Sequence, residues 1–135
     1  MNYTQTGSAI RTTLVTLAAI VAFLLVAVLL LPKGFSEDIS IIGQGSRVVV
    51  LAYNKDSVQS MTLMDLLNKV RSEYSNRIEF RVIDMNTPQG RAFLQQQQVQ
   101  LGSLLLFAPN GTRQRAVSNI DDETELRANL DAFLK

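Results

Sequence analysis

Between Arg11 and Lys33 the chain runs TTLVTLAAIVAFLLVAVLLLP, 21 positions without a charge. At about 1.5 Å per helical residue this run covers roughly 30 Å, the thickness of a bilayer's hydrocarbon core. It predicts a transmembrane helix over 12–32, with 1–11 as a short tail. A cleaved secretory leader is the competing reading. Its apolar region is ordinarily about 7–15 residues long and closes on an A-x-A-like site, and this run fits neither condition. An uncleaved signal anchor is therefore expected. The basic residues near its ends almost cancel, Arg11 before and Lys33 after, so the positive-inside rule has little to act on. A short tail followed by a folded domain is the usual arrangement of an anchor with its tail in the cytoplasm. The expectation is a single-pass protein of a bacterial inner membrane with its C-terminal domain in the periplasm.

The rest of the chain must make one small domain. Removing Arg11 and Lys33 from the thirteen cations leaves eleven, against twelve acids, all beyond Gly34. That near-neutral, mixed surface offers no basic patch for nucleic acid. The sequence has no Cys, no His and no Trp, which removes the usual ligands of zinc, haem and iron–sulfur clusters, so no metal or cofactor is expected.

Residues 33–46, KGFSEDISIIGQGS, mix charge, Gly and Ser around the short apolar run Ile39 to Ile42 and read as a linker, a spacer holding at most a docking strand. The domain then occupies 47–135. Arg47 to Tyr53, RVVVLAY, has the continuous β-branched character of a strand covered on both faces. Asp56 or Ser57 can cap a helix whose apolar positions Leu63, Leu66, Leu67, Val70 and Tyr74 recur at helical spacing. Ile78 to Ile83 alternates as a strand. Asn86 or Thr87 with Pro88 opens a second helix, whose Gln95 to Gln98 tract reads as a solvated end. Leu104 to Ala108 is a buried strand, Pro109-Asn110-Gly111 a tight turn, and Arg113 to Val117 the returning strand. Asp121, Asp122 and Glu123 start a last helix with Leu126, Leu130, Phe133 and Leu134 on one face, a better account of these acids than a calcium loop.

From about Val48 onward this order, β-α-β-α-β-β-α, resembles the thioredoxin family, and two stretches carry the likeness. Where the family has a strand, an aromatic residue, two variable residues and WCGPC, this chain has VVVLAYNKDSVQSM. Tyr53 falls on the aromatic, Asp56 on the tryptophan, and Ser57 and Ser60 on the two cysteines, with Val58 and Gln59 between them. Where the family has GIPTLLLF, with a cis-proline, this chain has QLGSLLLF. Gly102 takes the proline's place and Ser103 follows it. The resemblance implies an α/β fold with a thioredoxin-like core after one N-terminal transmembrane helix, and a degenerate redox site.

Thiol exchange needs a thiolate. Ser57 and Ser60 cannot supply one, and without His in the chain Ser57 has no base to activate it. Their simplest role is to cap and line the first turn of a helix. Loss of the tryptophan and the proline together with every cysteine fits a natural lineage and not an engineered trap. The expected function is a non-catalytic, membrane-tethered interaction module or accessory subunit that binds another envelope protein, with no small-molecule substrate. The resemblance assigns its contact surface to Tyr53, Asp56, Ser57, Val58, Gln59, Ser60, Leu101, Gly102 and Ser103. Two alternatives are a redox-associated protein that relies on a partner's cysteines and a subunit whose essential part is the membrane helix. Because a cis bond before a residue other than proline costs about 2.5–4 kcal/mol, a trans peptide is expected between Leu101 and Gly102.

Overall fold

A computed structural model of the chain describes residues 6–31 and 34–135. The chain divides between Gly34 and Phe35 into an N-terminal helix and an α/β unit. The first five residues of the expected tail, and Pro32 and Lys33, lie outside the described residues.

Helix α1 (Thr6–Leu30) starts earlier than the expected residue 12 and stops short of residue 32. Its end has a local cause: proline disfavours the α region for the residue before it, and Leu31, preceding Pro32, is a bend. Ala9–Leu30, 22 residues, is long and apolar enough to span a membrane. Two threonine side chains in this stretch turn back on the helix. The Thr13 hydroxyl donates to the Ala9 carbonyl at 2.8 Å and that of Thr16 to Thr12 at 2.9 Å, which satisfies them without water.

The α/β unit runs β1 (Arg47–Tyr53), α2 (Val58–Tyr74), β2 (Ile78–Asp84), α3 (Pro88–Gln97), β3 (Leu104–Phe107), β4 (Arg113–Val117) and α4 (Glu123–Leu134). Its four strands form one mixed sheet in the order β2-β1-β3-β4. β1 and β2 are parallel, with Arg47 opposite Ile78 and Tyr53 opposite Asp84; β3 is antiparallel to both β1 and β4. As its β-branched run predicts, β1 is buried on both faces. Val49 and Leu51 join Leu63, Leu67 and Val70 of α2 and Leu126 and Leu130 of α4 in one core. Val48, Val50 and Ala52 join Phe93 and Leu94 of α3 in the other.

The spacer expected over 33–46 is packed from Phe35 on. Phe35 meets Phe80 edge to face, centroids 6.4 Å apart, and the Arg71 guanidinium lies 4.6 Å from its ring centre. Ser36 bridges to Arg81 on the outer edge of β2, where its carbonyl accepts from the Val82 amide at 3.0 Å. Ile39, Ile41 and Ile42 then lie against the α3 core. Polar composition favours solvent for most of this segment. One aromatic residue and three isoleucines outweigh it, and the open β2 edge supplies backbone partners that an isolated spacer would lack.

Candidate functional site

The residues that the resemblance points to gather where β1 ends and α2 begins, because the parallel β1–α2–β2 unit places that junction at the strand's C-terminal end. The turn is built by its side chains. Asn54 Oδ1 accepts from the Asp56 amide at 2.9 Å, and the Asn54 carbonyl accepts from the Ser57 amide at 3.0 Å. Ser57, with extended backbone at φ −105°, is the N-cap of α2, and its hydroxyl accepts from the Ser60 amide at 3.3 Å. The capping role expected for Ser57 is therefore the one it fills.

The loop from Leu101 to Ser103 closes against the same strand. The Gly102 amide donates to the Ala52 carbonyl and the Ala52 amide to the Ser103 carbonyl, both at 3.0 Å. The Leu101–Gly102 peptide is trans, as expected. Gly102 has φ +68°, a conformation that favours glycine. Gln59 is stacked on it: an ideal Cβ on Gly102 would lie 3.0 Å from the Gln59 Cγ. The Gln59 carboxamide donates to Asn119 Oδ1 at 2.9 Å, and Asn119 itself has φ +60°. Beside it, the hydroxyls of Ser103 and Ser118 are 2.8 Å apart.

Three exposures set the character of the site. Ser60 is fully buried, and its hydroxyl is the one buried side-chain polar atom among the described residues with no hydrogen-bond partner. Val58 is 79% exposed and Met61 50% exposed, one helical turn apart on α2. Among the described residues of the α/β unit they are the two exposed large hydrophobics. Tyr53 and Leu101 are half-buried, Tyr53 against the α2–α4 core and Leu101 against the α3 core. Asp56 is exposed on the turn.

Neither a protein-family model nor a curated protein matches this chain.

The two serines at the start of α2 are both tied into the helix. Ser57 is committed to the cap and Ser60 has no access to solvent. Asn119 and Ser118, which complete the site, were not among the sequence expectations. The one signal pointing to Asn119 is its side-chain type, since Asn tolerates the left-handed region better than other residues with a Cβ.

A second concavity, about 400 Å³, lies at the opposite end of the sheet, with Arg47, Arg77 and Glu79 in its lining. It is also lined by Ser75 and Asn76, which follow α2, and by Leu134 at the end of α4. Glu79 is paired with Arg81 at 3.1 Å.

Proposed function

We propose that this protein is a non-catalytic, membrane-tethered domain of thioredoxin-like architecture that binds another protein of the bacterial envelope, with the domain on the periplasmic side. The observation that carries the reading is the pair Val58 and Met61, left in solvent on the first turns of α2 in a domain that otherwise buries its large apolar side chains. An exposed apolar pair beside polar neighbours is what a contact surface needs before its partner arrives. The mode of contact differs from the family's capture of an extended peptide. The Gly102 amide and the Ser103 carbonyl are both taken by Ala52, and Gln59 lies over Gly102. Side chains on α2 are the part of the surface free to recognise a partner.

The test is a photoreactive side chain at position 58 of the full chain in its own membranes, with the same group at the exposed Gln114 on β4 as a control. A single recurrent neighbour joined from position 58 alone is the expected result. Crosslinks confined to α1 would place the function in the membrane helix. Purified protein is also expected to reduce no insulin disulfides, and turnover in that assay would overturn the non-catalytic reading.

A further inference from the structure

Resting on the docking surface just proposed, we infer that its occupant is a basic amphipathic helix of the partner protein, seated on Val58 and Met61 with its cations against a carboxylate rim. The rim is assembled from three places. Asp56 sits on the turn ahead of α2. Asp65 follows Met61 by four residues, on the same exposed stripe as Val58 and Met61. Asp121 comes two residues after Asn119, the residue that holds Gln59. All three are exposed, and none is in an ion pair among the described residues.

Three other acids of these helices are held by side chains within the domain. Arg127 of α4 pairs with Glu73 of α2 and, at 2.6 Å, with Glu123, and Asp131 accepts from the Tyr74 hydroxyl at 2.8 Å. Asp56, Asp65 and Asp121 have no such partner among the described residues, and the nearest cations in sequence are Lys55, beside Asp56, and Lys69, four residues after Asp65. Such a surface attracts cationic segments and repels acidic ones before contact, so charge sets the choice of partner while the apolar pair supplies the burial. Helical form follows from the site's geometry. The loop has few free backbone groups for an added strand, whereas α2 presents a stripe at helical spacing that suits ridge-into-groove packing.

The experiment titrates the full chain in nanodiscs of zwitterionic lipid with two synthetic 14-residue amphipathic helices, one of Leu and Lys and one of Leu and Glu. The Leu–Lys peptide is expected to bind, more weakly as salt is raised, and the Leu–Glu peptide is not. The triple variant Asp56→Asn, Asp65→Asn, Asp121→Asn should weaken binding about tenfold. Met61→Gln should weaken it at every salt concentration. Asp122 is left intact because it caps α4. Equal binding of both peptides, or a triple variant that binds like the parent, overturns the inference. Crosslinking from position 58 separates the two claims. A recurrent neighbour joined there through an acidic or neutral segment leaves the docking surface standing and refutes the basic helix, while no neighbour at all refutes both.

Discussion

Helices α2 and α3 begin at the same end of the sheet, each after a parallel strand, and each is capped in the same way. Ser57 and Thr87 both have extended backbones, and both hydroxyls accept from the amide three residues on, that of Ser60 at 3.3 Å and that of Gly90 at 3.0 Å. Beyond the cap they part. At α3 the Thr87 hydroxyl also donates to the Asp84 carbonyl at 2.7 Å. The helix is pressed so close to β2 that an ideal Cβ on Gly90 would lie 1.9 Å from that carbonyl oxygen. At α2 the corresponding residue is a serine with an unpartnered hydroxyl, Gln59 lies over Gly102, and Val58 and Met61 face solvent. One helix start is closed by packing. The other keeps groups that packing does not use.

The largest effect should come from removing the tight fit at α3. Gly90→Ala places a methyl group against backbone that cannot turn aside, and it should cost about 3 kcal/mol or more. Urea unfolding of the detergent-solubilised full chain, followed by circular dichroism, measures this. A loss under 1 kcal/mol would mean that α3 slides easily and that the two helix starts are mechanically alike.

Gly102, in the loop before β3, packs on the start of α2, and its neighbour is a flexible side chain, Gln59. Gly102→Ala should cost about 1–2 kcal/mol, chiefly for holding alanine at positive φ. Combining it with Gln59→Ala should recover only the small steric part. A double-mutant cycle with coupling near zero would show that Gln59 swings clear at no cost, leaving the glycine loop open.

Two single substitutions on the α2 cap should move stability in opposite directions. Ser57→Ala removes the acceptor for the Ser60 amide and should cost about 1 kcal/mol. Ser60→Ala removes a buried hydroxyl without a partner and should gain about 1 kcal/mol. A loss from Ser60→Ala would show that this hydroxyl has a bonding role in solution and that the first turn of α2 is as fully satisfied as that of α3.

The elements themselves were legible because their signals are local. The apolar run of β1, the Thr87-Pro88 start and the Asn110-Gly111 turn each specify a conformation within a few residues. Ser57 as a cap was readable for the same reason. Gly90 was not, because its necessity comes from the Asp84 carbonyl on another element and nothing in PQGRAF announces that approach. Phe35 was missed in the same way: among Gly, Ser and acids it looks like part of a spacer, and only Phe80 and Arg71, far along the chain, give it a place. At the candidate site, the place of Ser57 and Ser60 at the start of α2 followed from the local pattern. The Gln59–Asn119 bond did not, since it joins residues 60 apart in sequence.

The smallest effect tests whether α2's exposed start depends on how firmly its far end is held. Tyr74, the last residue of α2, is buried and donates to Asp131 of α4, and burial, then the Asp131 carboxylate, raises its pKa above the ordinary 10.0. The folded protein therefore keeps this proton to higher pH than the unfolded chain. Tyr74's contribution is fully present below about pH 10 and is lost as pH rises through the window above it, because the unfolded state releases the proton first. Unfolding midpoints should accordingly fall with a steeper slope above pH 10 in the parent than in Tyr74→Phe, whose stability at neutral pH should be lower by about 1 kcal/mol for the lost hydrogen bond. If binding of the basic helix is unchanged in Tyr74→Phe while stability drops, the docking surface depends on the first turns of α2 alone. If binding weakens in proportion, the surface depends on the whole helix lying correctly against α4, and the contrast between the α2 and α3 starts extends down the length of the helix.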